Sequence, residues 1–306
     1  MKKYLLAAVV TFTVFIIFQK LEKENTTYIP GSYKALDLFS YLRAYPNNEI
    51  PADAYYRGYE KHIKMMGRQE NAKSISNKWQ AMGPLNTAGR ALTLAINPLD
   101  DETIYMGTAS GGLWRSRNLG LEQSWEYVET GFPILGVSTV AFPEGDSSTI
   151  YIGTGEVYNF FSTGTDGAYR STRGSYGIGI LKSEDGGRNW QKSLDWTYQQ
   201  NHGIWKIELS KLNPQNVWAA TTQGLYQSLD GGNSWSQKLD VIMGTDINID
   251  PRDDQRIVAA FGNFGTPGKG IYFTKNGGED WQAVEADGWS DFQGKILIDR
   301  SRSNPD

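Results

Sequence analysis

The sequence predicts an all-β protein assembled from repeated four-stranded units. Three observations predict it. Similar segments close at Trp125, Trp190, Trp235 and Trp281, the last two gaps being 45 and 46 residues. Each segment holds four runs of alternating or apolar character, separated by Gly, Asn, Asp and Pro. Aromatic residues reach 13%, with 10 Trp and 17 Tyr, a share that suits a β-rich protein or a carbohydrate binder. A repeat of about 45 residues with four strands in it is the requirement for one blade of a β-propeller.

The chain of 306 residues opens on Lys2 and Lys3, followed by an apolar run from Leu5 to Phe18 broken only by Thr11 and Thr13. The run is shorter than the roughly 20 residues that span a bilayer and has the form of a signal-peptide core. No small-x-small cleavage site follows it, since Gln19 to Asn25 reads QKLEKEN. Residues 1–21 are therefore a signal peptide or an uncleaved anchor, with a buried core helix as the plain alternative. The two lysines favour a cytoplasmic N-terminus and an extracytoplasmic remainder.

Residues 22–78 form a helical linker. Leu38, Leu42 and Tyr45 fall at helical spacing, and so do Tyr55, Tyr59, Ile63 and Met66, with Pro46 and Pro51 between the two runs. The alternative is an undocked stalk. From Trp79 to residue 306 the units follow one another. They begin ALTLAINP (Ala91), VSTVAFP (Val137), IWKIELSKLNP (Ile204) and TDINIDP (Thr245). The end of the chain, GKILIDRSRSNPD from Gly294, matches the opening strand of a further unit. The expected architecture is thus an incomplete arc of about four blades plus one strand. Its first and last blades should not meet through continuous packing, and apolar surface should be bare on the fourth unit.

Before the closing tryptophans the units share a turn. Ser183, Asp185, Gly187 and Trp190 recur as Ser228, Asp230, Gly232 and Trp235, and as Thr274, Asn276, Gly278 and Trp281. The copy from Ser116 to Trp125 is degenerate, with Asn118 in the Asp position. Asp or Asn in a tight turn bonds backbone N–H groups ahead of it, and Gly accepts the positive φ. A calcium loop would need a ligand series ending in a bidentate Glu, which no copy supplies.

These turns resemble Asp-boxes, the BNR repeats of sialidases, sortilin-type receptors and xyloglucan-degrading propellers. The stretches LRAYPNNEIP, WQAMGPLNTAGRALTLAINP, TIYMGTASGGLWRS and GTGE, with YGIGILKSEDGG, resemble the opening of bacterial secreted glycosyl-hydrolase-like proteins with sortilin-type propellers. The resemblance implies an Asp-box propeller whose boxes are structural and lie away from the ligand. It implies no catalytic residue directly. The Arg-Ile-Pro segment of sialidases is missing, and TASGG carries Ala109 where xyloglucan-degrading relatives place a catalytic Asp.

Composition narrows the function. There is no Cys, so disulfides, thiolate metal sites and a Cys nucleophile are excluded. His62 and His202 are too few for a multi-histidine metal centre. No metal and no cofactor is expected. A formal net charge of −4 lacks the basic excess of a nucleic-acid binder.

The segment Val157 to Gly177 is an insertion in the second unit, containing Tyr158, Phe160, Phe161, Asp166, Tyr169, Arg170, Arg173 and Tyr176. Of these, Tyr158, Phe161, Tyr169, Arg170, Arg173 and Tyr176, with Arg90, are candidate ligand-binding residues: rings stack on sugars or peptides and charges orient them. A covering flap is the plain alternative. Arg90 would bind an anion or brace a turn. Glu156 and Asp166 are weak candidates for a glycosidase pair, which needs a separation the sequence does not supply. The insertion should lie at the end of the propeller near Arg90 or TASGG. The expectation is a non-catalytic propeller that binds glycan or polypeptide, touching a membrane through its N-terminal segment if uncleaved. A glycoside hydrolase and an assembly scaffold are the alternatives.

Overall fold

The structure is a computed structural model. It describes residues 51–69, 89–121, 124–157, 175–199, 202–262, 266–285 and 294–301, with Leu38, Tyr41, Leu42, Tyr45 and Pro46. Among the described residues Leu38, Tyr41 and Leu42 are helical, and a helix described along its length, α1 (Ala54–Gln69), precedes sixteen strands. It falls within the second helical run, where Tyr55, Tyr59 and Ile63 recur at one-turn intervals.

The strands form four antiparallel sheets, each a meander of four strands consecutive in the chain. Blade one holds β1 (Ala91–Asn97), β2 (Asp100–Thr108), β3 (Leu113–Ser116) and β4 (Trp125–Val128). Blade two holds β5 (Val137–Ala141), β6 (Ile150–Thr154), β7 (Gly179–Ser183) and β8 (Gln191–Asp195). Blade three holds β9 (Ile204–Leu209), β10 (Val217–Thr221), β11 (Gly224–Ser228) and β12 (Ser236–Leu239). Blade four holds β13 (Gly244–Asp250), β14 (Asp253–Phe261), β15 (Gly270–Thr274) and β16 (Gln282–Ala283). The innermost strands pack in series, β1 on β5, β5 on β9 and β9 on β13. This is a β-propeller arrangement.

Each middle blade is buried on both faces, which is why its second strand reads as a continuous apolar run. In β10, Val217 and Ala219 join the core shared with blade two, while Trp218 and Ala220 join the core shared with blade four. In β6, Ile150 and Ile152 face blade one and Tyr151 faces blade three. The blades approach closely beside Gly153, where an added Cβ would come within 2.6 Å of Ile204 Cγ2. The IGT run therefore needs glycine at that position.

The turns between third and fourth strands all lie at one end. In each intact copy the hydroxyl at the first position accepts the glycine N–H: Gly187 to Ser183 at 2.9 Å, Gly232 to Ser228 at 2.7 Å and Gly278 to Thr274 at 3.1 Å. Asp185 accepts the N–H groups of Arg188 and Asn189 at 3.0 and 2.8 Å. Asp230 accepts those of Asn233 and Ser234, both at 2.9 Å. Asn276 has the same role toward Asp280 at 3.0 Å. Gly187, Gly232 and Gly278 take φ of 83, 87 and 88°. Trp190, Trp235 and Trp281 then pack against the inter-blade cores. In the degenerate copy Ser116 still accepts Gly120 N–H at 3.0 Å, and Trp125 donates to Gly120 O at 3.2 Å.

The arc is open among the described residues: β13 does not pack back on β1 as β1 packs on β5. Residues 294–301 run beside β13 in the place β9 takes beside β5. Ser138 Oγ bridges to the Gly153 and Ile204 carbonyls, and Thr245 Oγ1 likewise reaches Ala260 O at 3.2 Å and Ile296 O at 2.7 Å. Among the described residues the bare apolar face of an inner strand is on blade one, where the repeats alone suggested the fourth unit. Leu94 is 64% exposed, whereas its equivalents Val140, Ile207 and Ile247 are 8, 2 and 1% exposed. The reason is that each blade is covered by its predecessor on this face, and on the other face residues 294–301 shelter part of blade four.

Candidate functional site

The opposite end, where the inner strands begin, gathers the irregular features. A repeated backbone bond marks equivalent positions there. Ala109 N–H donates to Arg90 O, Gly155 to Gly136, Thr222 to Gly203 and Gly262 to Met243. Arg90 thus stands where the next three blades carry Gly, Gly and Met.

Arg90 is paired with Glu156 across the first two blades. Both guanidinium Nη atoms donate to the two carboxylate oxygens, Nη2 to Oε2 at 2.6 Å. The Glu156 side chain is fully buried and that of Arg90 is 54% exposed. A bidentate fork of this kind fixes the carboxylate and turns the outer side of the guanidinium toward solvent. The Glu156 N–H donates to Ser175 O at 2.9 Å, so the two ends of the insertion are tied at its root. Gly136 lies directly beneath: an added Cβ would stand 2.1 Å from Ser175 Oγ and 3.2 Å from Ala109 O. The roots of the insertion therefore sit beside Arg90 and the TASGG turn. Tyr158, Phe160, Phe161, Asp166, Tyr169, Arg170 and Arg173 lie outside the described residues. Of the candidates in the insertion, Tyr176 alone is described, and its ring centroid is 5.7 Å from that of Tyr55.

Further groups at this end went unnoticed in the sequence. Lys295 places its ammonium 4.3 Å from the centroid of Trp205. Desolvation lowers its pKa, while Asp246 and Glu156 act to raise it. Lys295 precedes the strand-like segment as Arg90 precedes β1, and aligning these two cations would have singled it out. Trp114 and Tyr127 meet edge-on at 5.7 Å beside TASGG, and the Trp114 indole N–H donates to Gly111 O at 2.8 Å.

Farther along the axis, the inner strands of blades one to three border a groove of about 330 Å³ that includes Lys206, Glu208 and Lys211. Burial raises the Glu208 pKa, partly opposed by Lys206 at 3.7 Å. Among the described residues, no group of three or more His, Cys, Asp or Glu side chains is placed to hold a metal.

The fold and this end are those of a β-propeller with a decorated entry face. No family model matches the chain, and no curated protein matches it. Several solved structures are similar to part of it. The GH74 xyloglucanase from Xanthomonas campestris is 15% identical at a TM-score of 0.49, covering 66% of this chain and 31% of its own. An ancestral GH74 enzyme is 20% identical at 0.48, covering 69% and 26%. The extracellular domain of a putative hybrid two component system from B. thetaiotaomicron is 16% identical at 0.45, covering 69% and 24%. The chain thus spans less than a third of the length of these three proteins.

Proposed function

We propose that the chain is an extracytoplasmic Asp-box β-propeller that binds a glycan or polypeptide at its entry end without turning it over. One observation supports this most. The best-placed acid, Glu156, is wholly buried with both oxygens held by Arg90. A general acid or nucleophile must reach the scissile bond, and this carboxylate instead anchors an exposed guanidinium. Ala109 beside it offers no proton. The positive, apolar N-terminus supports export and, if uncleaved, a membrane tether.

The test is a screen of the purified protein against neutral and anionic polysaccharides, aryl glycosides and a peptide array. Retention without product release is expected, and Arg90→Ala should weaken it. Turnover that vanishes in Glu156→Gln would overturn the non-catalytic reading.

A further inference from the structure

We infer that helix α1 is a wall of the binding site, and that Tyr55, Tyr176, Trp114 and Tyr127 form an aromatic ledge for a neutral glycan chain. This rests on the binding function proposed above and names its ligand class.

The helix is fastened to the blades at several points. Tyr56 is buried in the core between blades one and two. Its ring meets Tyr198 edge-on at 5.6 Å, and Lys192 lies 4.9 Å from its centroid. The Tyr198 hydroxyl donates to Glu60 at 2.8 Å, and the Tyr59 hydroxyl donates to Gly131 O at 3.2 Å. With Tyr56 anchored, its neighbour Tyr55 is turned about 100° round the helix. That direction brings it to Tyr176 at the root of the insertion. Ser175, next to Tyr176, lies beside the TASGG turn, since a Cβ added at Gly136 would stand 2.1 Å from Ser175 Oγ and 3.2 Å from Ala109 O. The pair of Tyr55 and Tyr176 therefore stands next to the turn that carries the other two rings.

The other half of the ledge is equally fixed. Gly112 has φ of 73°, and an added Cβ would stand 2.9 Å from the Tyr127 ring. The ring therefore lies over bare backbone of the TASGG turn while remaining 50% exposed. Trp114 is locked against it by its bond to Gly111.

Four rings held before any ligand arrives suit the C–H faces of pyranose rings, with phenol hydroxyls at their margins. Glu129 acts on Tyr127 as an acidic neighbour, which opposes an anionic chain.

The experiment is native affinity electrophoresis of the full chain in gels containing hydroxyethylcellulose, xyloglucan, galactomannan or dextran, with a peptide array in parallel. At least one glycan should retard the protein. Tyr127→Ala and Tyr55→Ala should each raise its Kd about tenfold, and Tyr55→Phe should stay within about twofold of the unchanged protein. Near-UV circular dichroism identifies a variant that has lost its fold; Tyr127 lies on β4, so its variant tests the ledge even if Tyr55→Ala frees the helix. Glycan binding unchanged in Tyr127→Ala overturns the ledge. Peptide binding with no glycan binding overturns it too and leaves the binding function standing. Binding to neither overturns both.

Discussion

The two ends of the propeller are built on opposite principles. At the box end three turns repeat the same hydroxyl-to-glycine bond at the same positions. At the entry end one backbone bond still repeats from blade to blade, but the side chains set on it differ. Blade one brings Arg90 and an aromatic pair, blade two brings Glu156 and the insertion, and α1 leans in from outside the repeats. Repetition serves packing, because every blade must meet its neighbour in the same way. A ligand is not repetitive, so the proposed site is placed where the repeat breaks down.

The largest effect should come from the box end. Trp218 is fully buried, packs edge-on to Trp281 at 6.0 Å, and lies against Gly278. Trp218→Ala should cost about 3–5 kcal/mol in chemical denaturation and leave ligand affinity in the surviving folded fraction unchanged. An affinity loss with intact stability would break the division between the ends.

At the entry end Glu156→Ala should cost about 1–3 kcal/mol, less than a fully buried ion pair because Arg90 is half exposed. It should also weaken ligand binding in the same titration. Asp230→Ala should lower Tm by less than Trp218→Ala and leave binding alone, since Asp230 serves only its own turn.

Acid should act on the box end and on the strand ends near it. Asp185 is held at about 2, first by the Asn189 backbone and side-chain amides. Asp250 is also held at about 2, first by Arg252, with Arg300 contributing. Both pKa values are depressed below the unfolded value of roughly 3.9. Their stabilisation is complete above that value and is lost as pH falls through about 2. Tm measured between pH 5 and pH 2 should fall, and Asp250→Asn should flatten the fall. The smallest effect is expected on the bare face of blade one. Leu94→Ser should change stability by no more than about 0.5 kcal/mol, whereas Ile247→Ser, at the equivalent covered position, should be severely destabilising.

Much of the box end was legible in the residues. Ser, Asp, Gly and Trp at set intervals specify a turn through local bonds, and local bonds depend on spacing along the chain. The entry end was only partly legible. Arg90, Glu156 and Tyr176 stood out by residue type, but their partners did not. Glu156 stood out as an acid beside Asp166, but not its pairing with Arg90, 66 residues away in sequence, which meets both its oxygens. Tyr55 belonged to a linker helix, and Trp114 and Tyr127 passed as ordinary strand aromatics.

What the sequence determined by itself was periodicity: a blade of about 45 residues, four strands in each, and the chemistry of each closing turn. Those features rest on contacts between near neighbours in the chain. Tertiary structure decided which faces are covered, as the contrast of Leu94 with Ile247 shows. It also decided which charges meet and where α1 docks. These depend on groups far apart in sequence being brought together by the packing of whole blades, and spacing along the chain does not encode that distance.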